Sequence, residues 1–346
     1  MPPPGGSLAA AREEPVGCDV VNPEGEGQAF ETACASVVRS VQSLYRHRLS
    51  RLRREEVRRI LAWDQLTGGD TALEVGTGDG FQLPALRARF KLAIGADRTS
   101  RTYGGDRRRF IECAAEALPF KAGSFDLIYT SNLLEHLADR DQGIQQMKAL
   151  LRRGGMMIHA VPTCCWKLAS VLLYPVGALL LGLRVTREAW RVARGTEKGS
   201  LRTLNALRRV CGIVATAGAS YDDRRREGPA EARATPSRHT DRGVTARIVG
   251  MMLPAVHGTY RNHLEEFLHF RRQAWRRLFE RHHLRVVEEI NLGCYTEYGL
   301  LGDRLGGVRE LLLRCGLSSC IAYCVRLDPE SCQTGPIIGQ SLPRPF

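Results

Sequence analysis

The stretch Ala72-Leu73-Glu74-Val75-Gly76-Thr77-Gly78-Asp79-Gly80-Phe81 has the residue types and spacing best suited to holding a ligand. An apolar run ends at an acidic residue, and three glycines then alternate with Thr77 and Asp79. Glycines at this density let the backbone turn sharply and approach a ligand with no Cβ in the way. The spacing is G-x-G-x-G, not the G-x-G-x-x-G of dinucleotide binding, and Glu74 stands two residues before the first glycine. A carboxylate there repels a pyrophosphate but suits a cationic, amino-acid-bearing ligand. The motif therefore points away from a nicotinamide dinucleotide and toward S-adenosylmethionine (SAM). A second short apolar run, Lys91 to Ala96, reads as a buried strand closed by Asp97, where open α/β sheets hold a ribose diol. The bland alternatives are a merely structural turn and a surface aspartate opening a loop.

The elements that must position these residues alternate between strand and helix. Strand-like runs are Ala72–Val75, Leu92–Ala96, Phe110–Ala114, Leu127–Ser131 and Met156–Val161. Ile144, Met147 and Leu151 share one helical face, and Gly154-Gly155 is expected to end that helix. Short apolar strands alternating with helices imply a parallel sheet covered on both faces, an α/β architecture. Upstream, residues 1–28 are rich in Pro, Gly and Glu and read as a disordered tail. Residues 29–66 read as a helical cap, with Val37, Val41, Leu44, Arg48, Leu52, Val57, Ile60 and Leu61 on one face. The core spans 67–163, an apolar and basic helical insertion with a flexible linker spans 164–245, and 246–327 resumes the domain. There a helix is expected over Leu264–His283, then strands over Leu284–Ile290 and Cys320–Leu327. Residues 328–346 form a tail.

The segment Glu116-Ala117-Leu118-Pro119-Phe120-Lys121-Ala122-Gly123-Ser124-Phe125-Asp126, running on through Asn132-Leu133-Leu134-Glu135-His136, resembles class I SAM-dependent methyltransferases. It looks most like the subgroup of the ubiquinone/menaquinone biosynthesis methyltransferases. The resemblance covers roughly residues 55–163 and, more loosely, 255–327. It implies a Rossmann-like, seven-stranded, doubly wound sheet with an N-terminal helical cap and a helical insertion after strand five. It also implies SAM as cofactor, with Glu74, Gly76, Thr77, Gly78 and Gly80 at its methionine end and Asp97 at the ribose. Ala115 and Glu116 then fall beside the adenine, and Asn132 faces the methionine moiety or the transferring methyl. The chain departs from the family at Ala114, where an acidic residue is common. His136, on a short helix at the rim, is the first candidate for a base, because an imidazole titrates near neutrality. His257 and His263 fall where the family places substrate-contacting loops. Glu265-Glu266 would orient His263 or simply favour a helix N-terminus.

The net charge is +13 and nearly all the positive charge is arginine, since lysine occurs only at 91, 121, 148, 167 and 198. Arginine favours planar contact with phosphate or carboxylate. A nucleic-acid methyltransferase is disfavoured, because Asn132-Leu133-Leu134-Glu135 lacks the Asn/Asp-Pro-Pro-aromatic motif. The eleven cysteines show no paired Cys-x-x-Cys pattern, and no metal cluster is legible, so reduced thiols and no metal are expected. No secretory signal opens the chain, which points to a cytoplasmic location. Leu168 to Leu183 is uncharged but interrupted by Pro175 and Gly177, shorter than the roughly 20 residues a span needs. It adjoins Arg184, Arg187, Arg191, Arg194, Lys198, Arg202, Arg208 and Arg209. An apolar run beside a polybasic stretch suits peripheral contact, through 166–209, with the inner face of the cytoplasmic membrane; a helix pair packed over the pocket is the alternative. The reading is a methyltransferase acting on a small-molecule or lipid-linked acceptor. Its rival is a catalytically silent, membrane-associated binding protein of the same fold.

Overall fold

The computed structural model describes residues 43, 47, 50–66, 68–99, 104–194, 254, 256–293 and 306–328. The expected tails, most of the basic stretch beyond Arg194 and the linker Tyr221–Arg242 lie outside them. Residues 50–61 form helix α1, which buries Glu56, Val57 and Ile60 at adjacent turns. The chain then runs through β1 (Gly69–Val75), α2 (Leu83–Arg87), β2 (Phe90–Asp97), β3 (Phe110–Glu112) and β4 (Phe125–Ser131). It continues with α3 (Arg140–Leu150), β5 (Leu151–Pro162), α4 (Cys164–Arg194), α5 (His263–His269) and α6 (Arg272–Arg281). The remaining elements are β6 (Leu284–Gly293), α7 (Gly306–Arg314) and β7 (Cys320–Leu327).

These strands make a seven-stranded sheet in the order β3-β2-β1-β4-β5-β7-β6. All pairs are parallel except those of β7, which lies antiparallel between β5 and β6. Both faces are buried, as the alternation of side chains in a strand demands when helices cover both sides. Leu73, Val75, Ile128, Met157, Val161, Tyr323 and Val325 face α3 and α6, where Ile144, Met147, Trp275 and Phe279 meet them. Ala72, Leu127, Tyr129, Met156, Ile158, Ala322 and Cys324 face the other way, onto Ile60, Leu83 and Leu86. The strand order reverses between β1 and β4, and the crevice beyond their carboxyl ends is where open α/β sheets bind ligands. That geometry sets where the site must be.

Three local expectations are corrected. The helix α3 ends at Leu150, not at Gly154-Gly155; Leu151 is already extended and pairs with Phe125. Gly154, at φ +81, instead lies inside β5, beside a register shift between Phe125 and Leu127. The expected helix Leu264–His283 is two helices, broken at Phe270-Arg271. There Arg271 is extended and the Phe270 carbonyl accepts from the Cys164 amide at 2.9 Å, which pins the break to the start of α4. The third strand stops at Glu112, so Cys113 to Glu116 lie beyond it. Pro175 interrupts the apolar run but not the helix, since α4 continues through it.

One buried group in β5 makes the fold sensitive to acid. His159 is 0% exposed, its Nδ1 2.8 Å from Thr130 Oγ1 and its ring stacked at 5.3 Å on Phe279, while Nε2 has no hydrogen-bond partner. Burial pushes its pKa from 6.5 down to about 3. The native state therefore wants the neutral imidazole. The stability this group lends is complete above about pH 6.5 and is lost as the pH falls through that value toward 3. Urea midpoints measured from about pH 7 down to pH 4 should drop more steeply for the wild type than for His159→Gln, which cannot titrate. Parallel slopes would show that His159 is not the group responsible.

Candidate active site

At the end of β1 the backbone reverses through Gly76, Gly78 and Gly80, all at positive φ (78°, 57° and 76°). The turn is held by its own strand neighbour: the amides of Gly76 and Thr77 both donate to the Ala96 carbonyl, at 2.8 and 3.1 Å. Gly80 N then closes onto Thr77 O at 2.9 Å. The first two glycines have different surroundings. A Cβ on Gly76 would strike Leu133 Cδ1 at 2.9 Å, whereas a Cβ on Gly78 would enter open space. Gly78 thus opens a cradle that a side chain would fill, and its conformation is one that L-residues rarely adopt. Asp97, at the end of β2, accepts from the Gly78 amide at 2.8 Å through Oδ2 and from Thr99 N at 3.4 Å through Oδ1. The two motifs singled out in the sequence are therefore one site.

Glu74 is 1% exposed and accepts a hydrogen bond from the Thr77 hydroxyl at 2.9 Å. Burial, against the relief from Thr77 and with Asp79 and Asp97 adding like charge, pushes its pKa up to about 8. At neutral pH it is thus largely a neutral acid. Ala115 packs in the core and offers only its backbone to a ligand, while the Glu116 carbonyl accepts from Gln142 Nε2 at 3.1 Å. Asn132 follows β4 at φ +50, its amide turned toward the guanidinium of Arg53 on α1. Arg53 in turn holds Glu56 at 2.7 Å and lends its carbonyl to Gln82 Nε2 at 3.3 Å. Arg53 was not legible in the sequence as a neighbour of Asn132; only the packing of α1 by the end of the central strand β4 delivers it.

Beyond Asn132, a 3₁₀ turn over Leu134–His136 places Glu135 and His136 on the same rim. The loop carrying His257 comes back to them: the Thr259 amide donates to the Glu135 carbonyl at 3.3 Å. The rings of His136 and His257 lie 4.5 Å apart, edge to face. His257 Nε2 is 3.9 Å from Glu135 Oε1, and that carboxylate is fully buried. Burial alone would raise the Glu135 pKa, but His257 and His136 bring it below the usual carboxylate range. His263 sits apart from this cluster, at the first position of α5, with Nδ1 3.9 Å from Glu266 Oε2. Burial and the Lys167 ammonium push its pKa down, against the pull of Glu266.

The adjacent pair Glu265-Glu266 divides its work. Glu265 serves the start of α5: its amide donates to Oδ1 of the N-cap residue Asn262 at 2.8 Å, and its carboxylate accepts from the Arg261 amide, one residue before the cap, at 2.8 Å. Glu266, 0% exposed, pairs with Lys167 at 2.5 Å and accepts from the His257 amide at 3.1 Å. This ion pair ties α4, α5 and the His257 loop together. Arg140 fastens the same loop from α3, donating to Leu134 O at 2.9 Å and to the Tyr260 hydroxyl at 2.9 Å. Lys167 and Arg140 carried no motif signal, and Glu266 was read only beside His263, because the Lys167–Glu266 and Arg140–Tyr260 contacts join residues distant in sequence.

Two outcomes follow from these buried charges. Because the Glu74 pKa is raised in the native state, the stability it contributes is complete below about pH 4.5 and fades as the pH rises through about 8. The melting temperature of the wild type should therefore fall relative to that of Glu74→Gln between about pH 6 and pH 9; a pH-independent gap would refute the assignment. Lys167→Met leaves the Glu266 carboxylate buried and unpaired and should destabilise by about 3–5 kcal/mol. Adding Glu266→Gln to that variant should restore part of the loss in denaturant titrations.

Comparison with known proteins agrees with this geometry. Residues 73–159 match the family described as a methyltransferase domain. A ubiquinone/menaquinone biosynthesis C-methyltransferase (UbiE) of Stenotrophomonas maltophilia is 32% identical over 115 residues, which cover 28% of this chain and 44% of that protein. A methyltransferase of Mycobacterium sp. strain JLS is 30% identical over 130 residues, covering 35% of this chain and 47% of that protein. A solved SAM-dependent methyltransferase of Thermotoga maritima shares 24% identity, with a TM-score of 0.30, over 36% of this chain and 59% of that one. The chain spans less than half the length of these curated relatives. Residues 73–159, which carry the glycine turn and the Asp97 carboxylate, match a methyltransferase domain; β7, antiparallel between β5 and β6, lies outside that stretch.

Proposed function

We propose that the protein transfers a methyl group from SAM to a small-molecule or lipid-linked acceptor at a membrane surface. The observation that carries the cofactor half is the open cradle over Gly78, flanked by Asp97 and placed at the point where the strand order reverses. The residues there fit SAM. The Asp97 carboxylate is at the ribose position of such sheets, and the buried Glu74 lies behind the turn, ready to ionise when a cation approaches. When bound, SAM supplies a methyl already activated by its sulfonium. The protein's share is to align the acceptor and exclude water. Leu133, packed where a Gly76 side chain would be, closes the floor. The Glu135–His136–His257 rim, next along the chain from Asn132, is the polar wall on the acceptor side.

The membrane half is supported by α4. Leu168, Leu172, Val176, Leu179 and Leu183 are exposed (53%, 64%, 42%, 63% and 57%) and recur at intervals of four, four, three and four. That periodicity puts them on one face of the helix. None of the helices among the described residues is long and apolar enough to cross a membrane. An apolar face of this kind, with arginines following in the sequence, suits lying in an anionic interface. The relatives named for ubiquinone/menaquinone biosynthesis fit the same picture, since a quinone-like acceptor is apolar.

Calorimetry with SAM should show saturable binding that Asp97→Ala and Gly78→Val both abolish, with folding retained. Absence of binding to the folded wild type would sink the methyltransferase reading and favour a silent binding protein. Sedimentation with phosphatidylglycerol vesicles tests the surface. The wild type should pellet with them, and a Leu172→Glu, Leu179→Glu double variant should stay in the supernatant. Equal partitioning of both would place the apolar face elsewhere than in lipid.

A further inference from the structure

We propose that Glu135, His136 and His257 form a site for a divalent first-row metal ion, of the zinc class, on the acceptor side of the cleft. The ligating atoms of these three side chains lie within 4.8 Å of one another. A tetrahedral ion with ligands at about 2.0–2.2 Å holds them roughly 3.4 Å apart, so small side-chain rotations complete the geometry. Two imidazoles and one carboxylate match the nitrogen and oxygen donors that zinc takes in catalytic sites, where three protein ligands leave a position open.

Two independent observations point to a ligand. The first is the state of Glu135. It is 0% exposed, yet neither carboxylate oxygen accepts a hydrogen bond. Buried carboxylates are normally hydrogen-bonded, paired or bound to a metal. The closest cationic candidate, His257 Nε2, stands at 3.9 Å, beyond hydrogen-bond distance. The second is the effort the backbone makes to bring His257 there. Gly258, at φ +71, approaches so closely that a Cβ on it would lie 2.2 Å from the Glu135 carbonyl oxygen. The Glu266 carboxylate fixes the His257 amide from the far side, and Trp166 packs its ring 5.0 Å from the His257 ring. A histidine loop clamped from two directions onto an unsatisfied carboxylate is a preorganised site. Metal ligands positioned by such outer contacts are the common arrangement.

On the methyltransferase reading, on which only this consequence rests, the open position faces the acceptor. A metal there would bind an acceptor oxygen and lower its pKa, so that its proton passes to solvent water and the oxygen can take the methyl as the sulfur–methyl bond of SAM breaks. His136 and His257 would then be metal ligands. His263, whose Nδ1 faces Glu266, takes no part.

The test uses the full chain, stripped with a chelator and titrated with Co²⁺ by absorption spectroscopy and with Zn²⁺ by calorimetry. The expected result is one ion per chain with ligand-field bands of nitrogen and oxygen coordination and no thiolate charge-transfer band. Glu135→Gln and His257→Gln should each weaken binding by more than the roughly 10–100-fold that loss of an outer-shell partner costs. Gly258→Ala should weaken it as well, although it removes no ligand. His263→Gln and the exposed-loop variant His283→Asn should bind as the wild type does. Absence of saturable binding to the folded chain, a thiolate band, or undiminished affinity in Glu135→Gln would each overturn the proposal. SAM calorimetry on the same samples separates the two readings. SAM binding without metal removes the metal site alone, and metal binding without SAM removes the methyltransferase reading while leaving the site.

Discussion

Everything in this molecule depends on how β1 ends. A strand buried on both faces must leave the sheet at Val75 without stranding its backbone polar groups, because unpaired buried amides are costly. The solution is to lend the next two amides, Gly76 and Thr77, to the Ala96 carbonyl of β2 and to turn through three positive-φ glycines. The same turn aims Gly78 N at Asp97 and leaves open space where a side chain would be. Because β2 and β4 flank β1 on opposite sides, the turn also sits at the reversal of strand order, over a crevice no crossover helix fills. The open space beside Gly78 is thus a by-product of satisfying the backbone at one strand end.

The neighbourhood of Glu135, His136 and His257 is built on a different principle. It is assembled by side-chain contacts between distant elements, one of them a buried ion pair. Lys167 from α4 meets Glu266 from α5, Arg140 from α3 meets the Tyr260 hydroxyl, and Trp275 Nε1 of α6 donates to the Pro162 carbonyl at 3.0 Å. Each contact crosses a long stretch of chain. Together they hold the loop of His257 against the 3₁₀ turn that carries Glu135 and His136. Buried pairs of this kind add little net stability compared with apolar packing, but breaking one is expensive. Their role here is to fix the placement of a loop that has no regular structure of its own.

The helix α4 joins these two halves to the surface. Its first turns are half-buried or buried at Cys164, Trp166 and Lys167, which serve the site. Its later turns carry a row of exposed aliphatic side chains. One continuous helix therefore connects the surroundings of His257 to a row of exposed aliphatic side chains.

Local pattern was enough for the strands. The runs around Leu73, Ile128, Ile158 and Ala322 are apolar because both faces of each strand are buried, and that signal survives without any partner being known. The glycine turn and Asp97 were legible for the same reason: backbone conformation and strand ends are local properties. Where local rules competed with tertiary contacts, the sequence misled. Gly154-Gly155 looks like a helix stop, yet pairing with β4 pulls Leu151 into a strand first, and the run from Leu264 to His283 looks like one helix until Cys164 claims the Phe270 carbonyl. The three histidines illustrate the remaining limit. His136, His257 and His263 were equivalent as residue types, and only folding puts the first two beside Glu135 and the third beside Glu266. The positions of the strands and of the glycine turn follow from apolar runs and glycine chemistry, which are local. The tertiary structure alone decided which charges are buried together, since burial is a property of the space between elements and not of any one of them.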